Sequence, residues 1–525
     1  MLKTKNVSNL NIIIFEIVCC LFYFLKIAFI GILDTDVFYL LAVGKDILKN
    51  GISHINTLIT TPDTPVVLQN WAYCALLAIV ENISGRIGLY ILMLLFLLAL
   101  YLVIRKNVHD VIHNKWIAFF CTFVLTNSFG YLNLRPEILT FLLLYFEVYG
   151  IQQYQKTQKK RYLIYIPLSM LLEINFHASY WILHYIVILP FIVPLIDDKI
   201  RETALRSKER NLVLIVALLS FPVLFMNPYG IDNILYVFKA CFSDTFKIIQ
   251  IKELQPIAIN SLCFTPLILI SILFFAYGLW EKHNPPYLTS TSVWMWLGFL
   301  ILTIKQIKWY PFFVFGFLFL FHDIGHLFEE WILNSTKNIH IKESVQSFLC
   351  ILIIFVFLLC DISKNDIHQV KLLCENASLT DLYFSQDDSR YADEWKTVIS
   401  IIKKNPDGVF SASFKCNNLF SYEEIPVYLD IRPEIYTEKD ENGVSILSRT
   451  MMISDMKNRN EDAEEDTYIN EKEYAALVHE LNVRYFFINE NGRGSLLNLY
   501  LSEHPDLFTP LYKGNGMSLY ERKQG

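Results

Sequence analysis

The chain has 525 residues, of which 54% are hydrophobic and 15% aromatic, at a mean hydropathy of +0.37. A water-soluble chain of this length does not sustain that average; long apolar runs between short polar loops define a polytopic α-helical membrane protein. The net charge of −6 argues against a nucleic-acid partner, and ten scattered cysteines without paired Cys-x-x-Cys motifs argue against a zinc site or a disulfide framework.

Lys3 and Lys5 precede an apolar run from Asn11 to Leu33. The run is too long for a signal-peptide core and no small-x-small cleavage site follows, so it reads as a retained first helix with a cytoplasmic N-terminus. Glu16 and Lys26 interrupt it and are expected to face other helices rather than lipid. Two carboxylates, Asp34 and Asp36, follow directly, with no opposite charge within a helical turn, and a polar stretch continues to Trp71.

Further apolar runs cover Ile87–Ile104, Trp116–Tyr131, Glu137–Ile151, Tyr162–Glu173, Tyr180–Ile196 and Leu212–Met226. Leu262–Trp280, Ser292–Ile304, Pro311–Phe321 and Val345–Cys360 complete about eleven expected spans. Alternating from a cytoplasmic start, the inside loops carry Arg105-Lys106, Lys156–Arg161 and the basic segment Asp197–Arg210, as the positive-inside rule requires. The expected location is therefore the plasma or inner membrane, multi-pass, with the C-terminus outside.

From about Asp361 the composition turns charged, with an acidic tract at Glu461–Asp466 that reads as a solvated loop. Val409–Ser413, Val427–Leu429, Val483–Ile488 and Met517–Glu521 read as strands, and Glu394–Lys404 and Glu471–Leu481 as helices. The expected organisation is a transmembrane domain over 1–362, with a first outer loop at 34–86, and a small extracytoplasmic α/β domain over 363–525.

This topology turns a set of polar residues to one membrane face. Asp34 and Asp36 fall outside, as do Asn133, Arg135, Asn175, His177 and the Asn227-Pro-Tyr229-Gly230 turn. Glu253, Lys305 and Lys308 follow on the same side. Ionisable groups at that depth are costly and tend to line a functional cavity. Sugar transfer from a lipid phosphate needs such a set: a base for the acceptor hydroxyl and cations for the leaving phosphate. A carboxylate can be that base or hold a divalent ion, Arg135 offers a planar fork for phosphate oxygens, and the lysines offer point charges. Each residue also has a plainer reading. Asp34 fits a helix cap. Arg135, Lys305 and Lys308 fit interfacial anchors, and His177 and His184 fit packed histidines.

In combination these motifs resemble bacterial class C (GT-C) glycosyltransferases, polytopic enzymes fed by polyprenyl-phosphate sugars. The stretch Asp34 to Gly51 is similar to their first outer loop, with Phe38-Tyr39 as the aromatic pair and Trp71 as the following tryptophan. Leu134-Arg135-Pro136-Glu137, Asn175-Phe-His177, Asn227-Pro-Tyr-Gly230, Glu253-Leu-Gln-Pro256 and Tyr428-Leu-Asp430-Ile-Arg432 match further motifs in the family's order. Four positions depart from the pattern: Leu40 stands where the family often has His, Asn70 where it often has an acid, and Lys308-Trp309 where it has an Arg/His pair.

The resemblance implies an inverting transfer to a hydroxyl of an extracytoplasmic glycan, lipid or protein, with Asp36, and Asp34 behind it, as base or metal ligand. It assigns Arg135, His177, Lys305 and Lys308 to the donor phosphate. Trp71, Asn175, Asn227, Tyr229 and Glu253 become cavity residues, and Mg or Mn at Asp36 becomes a candidate ion. A transporter of lipid-linked glycans is the alternative; it predicts ionisable groups near mid-membrane and an internal repeat, whereas the polar set gathers at one face. A non-catalytic membrane scaffold is the other.

Overall fold

The computed structural model describes residues 2–130, 132–192, 207–242, 255–257, 265–282, 290–338, 378–384, 389–437, 444–455, 469–489, 495–514 and 516–523. The expected span Val345–Cys360, the Glu461–Asp466 tract and Glu253 lie outside the described residues. Within them the chain forms two compact units. One takes in the described parts of 1–31, 90–227 and 251–363, the other those of 32–89, 228–250 and 364–525.

The first unit is helical. Its elements are α1 (Leu2–Ile32), most of α3 (Trp71–His109), α4 (Lys115–Asn127), α5 (Glu137–Thr157), α6 (Tyr165–Phe176) and α7 (Trp181–Ile192). α8 (Ser207–Ser220), α10 (Thr265–Lys282), α11 (Thr291–Lys305) and α12 (Tyr310–Asn338) complete it. Every expected apolar run up to Pro311–Phe321 carries a helix in its described part. Ile13–Ile32, Trp71–His109 and Ile307–Ile332 are long and apolar enough to cross a membrane; Ala178–Ile192, Pro266–Trp280 and Thr291–Lys305 are shorter apolar helices.

α3 shows how sequence sorts the two sides of such a helix. Leu89, Met93, Leu97, Leu100 and Ile104 are buried at helical spacing, while Ile87, Ile91, Leu95, Leu98 and Leu102 stay exposed. A continuous stripe of uncovered aliphatic side chains suits a lipid surround, where exposing them carries no hydrophobic cost. Glu16, expected to face protein, pairs with Arg105 at 2.6 Å and accepts the Tyr101 hydroxyl. Gly31 permits a close approach: a Cβ there would lie 2.8 Å from the Leu132 carbonyl, and the Gly31 carbonyl accepts the Leu134 N–H. That contact fixes the chain leading into Arg135. Pro136 and Glu137 then open α5, a proline that needs no N–H partner and an acid that complements the helix dipole.

The second unit joins the first outer loop to the tail. Its helices are α2 (Thr35–Asn50), α9 (Ile231–Phe242), α13 (Leu379–Phe384), α14 (Ser389–Ile402), α15 (Phe414–Tyr422), α16 (Ile446–Asp455), α17 (Glu471–His479) and α18 (Ser495–Glu503). A four-stranded sheet runs in the order β1 (Val409–Ser411), β2 (Tyr485–Asn489), β4 (Met517–Arg522), β3 (Phe508–Lys513). β1 and β2 are parallel and the other pairs antiparallel. Two expectations are corrected here. Val427–Leu429 is no strand; Val427 only bridges Val409 and Ile59. β3 was not expected, because Pro510 removes an N–H from it; at the sheet edge, beside a register shift, that loss is tolerated.

Buried rings knit this unit. Trp395 packs on Phe420 at 4.7 Å, and Phe420 on Phe487 at 5.1 Å, linking α14, α15 and β2. Phe38 of α2 meets Tyr422 edge-on at 5.2 Å, and Asn418 donates to the Thr35 carbonyl at 3.0 Å. At Gly44 a Cβ would sit 2.1 Å from the Cys74 carbonyl, so only glycine lets α2 press on the start of α3.

Candidate functional site

The two carboxylates of the first outer loop have different local roles. Asp34 is the N-cap of α2, extended at φ −65°, ψ 133°, and its Oδ1 accepts the Asp36 N–H at 3.0 Å. Such a cap satisfies an otherwise orphaned helix donor. Asp36 sits in the first turn, where the helix dipole favours a negative charge. Both are half-buried. One turn on, Tyr39 is buried and the Arg432 guanidinium lies over its ring, 5.3 Å from the centroid.

Arg432 belongs to the Asp-x-Arg segment recognised in the tail. It forms an ion pair with fully buried Asp430, whose Oδ1 also accepts the Arg432 N–H at 2.9 Å. Asn56 of the outer loop donates to Asp430 Oδ2 at 3.0 Å and also lies 3.0 Å from the Tyr436 hydroxyl. Burial pulls the Arg432 pKa down, but the Asp430 carboxylate outweighs it and holds the guanidinium well above its ordinary value. Burial pushes the phenols of Tyr39 and Tyr436 up. Tyr229 is also in this unit: its hydroxyl donates to the Ser53 carbonyl at 2.8 Å, its ring meets His54, and burial pushes its phenol up to about 12. Trp71 opens α3, its N–H donating to the Leu68 carbonyl.

The other site residues expected from the sequence that are described lie in the helical unit, and four motifs meet there. Asn175 donates to the carbonyl of Met226, the residue before Asn227, at 3.0 Å. Asn227 closes its own turn on the Leu224 carbonyl at 2.7 Å. The Ile307 N–H donates to the Gln255 carbonyl at 3.1 Å, so the described end of the Glu253–Pro256 motif adjoins the turn carrying Lys305 and Lys308. Tyr180 joins the corners: its ring is 4.3 Å from His177 and 5.6 Å from Trp309, over which Lys308 lies at 5.1 Å. Lys305 is exposed in the last turn of α11, and Arg135 is half-buried ahead of α5.

His177 carries a polar chain behind it. His177 Nδ1 is 2.8 Å from Thr140 Oγ1, which donates to Glu173 Oε1 at 2.7 Å. Glu173 Oε2 lies 3.6 Å from His184 Nε2, and His184 Nδ1 is hydrogen-bonded to Glu147. All five side chains are buried. Glu147 and His184 lie inside α5 and α7, away from the helix ends that carry the set chosen from sequence. Glu147, Glu173 and Thr140 were not selected from sequence. Two signals pointed to them: Thr140 and Glu147 are seven apart on one face of α5, and Glu173 stands four before His177. A carboxylate inside an apolar run is by default functional. Among the described residues no group of three or more His, Cys, Asp or Glu is arranged to hold a metal ion.

No family model matches the chain, and no curated protein matches it. Solved structures do. The oligosaccharyltransferase of Archaeoglobus fulgidus, in a crystal with a tethered acceptor peptide containing the NVT sequon, aligns over 98% of this chain and 74% of its own. The identity is 11% and the TM-score 0.54. The fold is that of an oligosaccharyltransferase. The likeness is one of fold, and it accompanies three helices long and apolar enough to cross a membrane among the described residues. The same enzyme's apo crystal, at 12% identity, covers 98% of this chain and 74% of its own with a TM-score of 0.46. Its crystal with zinc and sulfate, at 11%, covers 97% and 73% with a TM-score of 0.48. Neither adds to the likeness of the first.

Proposed function

We propose that the chain is a membrane glycosyltransferase that moves a sugar from a polyprenyl-phosphate donor to a hydroxyl of an extracytoplasmic glycan, lipid or protein. The observation that carries this reading is the oligosaccharyltransferase fold across 98% of the chain. The ordered motifs support it. Under this reading the N-terminus is cytoplasmic, the tail is outside the plasma or inner membrane, and the reaction inverts the anomeric centre.

Asp36 is the base. Its carboxylate takes the proton of the acceptor hydroxyl as that oxygen attacks the anomeric carbon, and the bond from that carbon to the phosphate oxygen breaks with its electron pair leaving on the phosphate. The family resemblance assigns the charge that develops there to Arg135, Lys305 and Lys308, each a fixed positive charge. Asp34 holds the helix end that presents Asp36, a duty its cap bond supports. The described residues do not assemble a metal-ligand set, so no step is routed through Mg or Mn.

The test is a transfer assay on the purified full-length protein with a panel of radiolabelled polyprenyl-phosphate sugars and extracted surface glycans, lipids and proteins as acceptors. Label moving to an acceptor from at least one donor is the expected result. Label crossing liposome membranes on the intact donor, without transfer, contradicts it and favours a transporter.

A further inference from the structure

The chain behind His177 has a proton inventory that decides what its ring can do. Thr140 carries one hydroxyl hydrogen. Two acceptors compete for it: Glu173 Oε1 at 2.7 Å and the Pro136 carbonyl at 3.4 Å. A carbonyl has no hydrogen to give back, and neither has an ionised carboxylate. The Thr140 hydroxyl donates to Glu173, the nearer of the two, and His184 stands behind it, its Nδ1 hydrogen-bonded to Glu147 and its Nε2 3.6 Å from Glu173. The Thr140 oxygen therefore meets His177 Nδ1, 2.8 Å away, as an acceptor, and Nδ1 bears the hydrogen. In a neutral imidazole that leaves Nε2 with its bare lone pair, and Nε2 has no hydrogen-bond partner among the described residues.

We propose that Glu147, His184, Glu173 and Thr140 are positioning residues that hold His177 as its Nδ1-protonated tautomer, so that Nε2 accepts a hydrogen bond from a substrate hydroxyl. This differs from the phosphate contact that the family resemblance gives His177, because a bare nitrogen repels a phosphate oxygen. It has the logic of any buried acid that orients an imidazole through the nitrogen remote from substrate. The acid also faces the charge that a protonated ring would carry: Glu173 Oε1 is 3.9 Å from Nδ1. Thr140 is the mediator. Its single hydrogen, already committed to Glu173, makes the tautomer a consequence of α5 packing on α6.

The substrate half of this proposal rests on the transferase reading; the tautomer does not, and is measured without donor. The experiment is nitrogen-15 NMR of the full-length protein, labelled at histidine and reconstituted in phosphatidylcholine bilayers at neutral pH, with the His177 signals assigned by their loss in His177→Asn. The wild type is expected to show a protonated Nδ1 and an unprotonated Nε2. Thr140→Val, which keeps shape and removes the acceptor, is expected to move the proton to Nε2, and Thr140→Ser to restore the original tautomer. A wild-type ring protonated at Nε2, or a tautomer that Thr140→Val leaves unchanged, overturns the proposal. With transfer established, Thr140→Val is expected to lower kcat by roughly 10²-fold with Thr140→Ser near wild type; a switched tautomer with unchanged kcat overturns the substrate contact.

Discussion

Two buried charge clusters, one in each unit, solve the same problem in different ways. In the tail unit Asp430 faces Arg432 one to one, and Asn56 donates a further bond to the carboxylate. In the helical unit two carboxylates, Glu147 and Glu173, flank a single imidazole, His184, and the chain leads on through Thr140 to His177. The first arrangement is closed on itself and joins an outer-loop residue to the tail. The second ends on His177 Nε2, which has no hydrogen-bond partner among the described residues. A balanced pair fixes structure, whereas an unbalanced one leaves a group whose protonation the protein can use.

The clusters also differ in what happens when they are cut. Arg432 cannot give up its proton, so Asp430→Asn strands a buried cation and is expected to destabilise the protein by about 3–5 kcal/mol. Glu147→Gln is milder, roughly 1–3 kcal/mol, because His184 can revert to the neutral ring when one of its acids is gone. Denaturant unfolding of both full-length variants in detergent micelles checks the order, and equal losses would erase the distinction drawn between the clusters.

Two smaller effects sharpen the account of how the outer loop is held. Gly44→Ala forces α2 away from the Cys74 carbonyl and is expected to cost about 1–3 kcal/mol. Asp34→Ala removes the cap on α2 and is expected to cost about 0.5–2 kcal/mol. Because capping is its duty, Asp34→Asn, which can still cap, is expected to recover most of that stability in the same unfolding measurement.

What the sequence disclosed follows from the kind of signal each feature leaves. The helices of the membrane unit were legible because apolar length is a local property, and the run Pro311–Phe321 needed no partner to be recognised. β3 was hidden because Pro510 argues against a strand until its edge position is known. The cap at Asp34 could be posed as an alternative from its place before α2, but only the bond to the Asp36 N–H decides it. The chain behind His177 was least visible. Its members lie on three helices, and Glu147 meets His184 only through the packing of α5 against α7, which no spacing in the sequence encodes. The outer loop's attachment to the tail was equally non-local, resting on Asn56 with Asp430 and on Thr35 with Asn418.

The central claim is that Asp36 takes a proton in a sugar transfer, and Asp36→Asn tests it most directly. Asparagine keeps the size of the side chain and removes its basicity. In a transfer assay on the purified protein with its accepted polyprenyl-phosphate sugar, Asp36→Asn is expected to lower kcat by roughly 10²–10⁴-fold, with unfolding stability near wild type. Full transfer activity in both Asp36→Asn and Asp36→Ala would contradict the account.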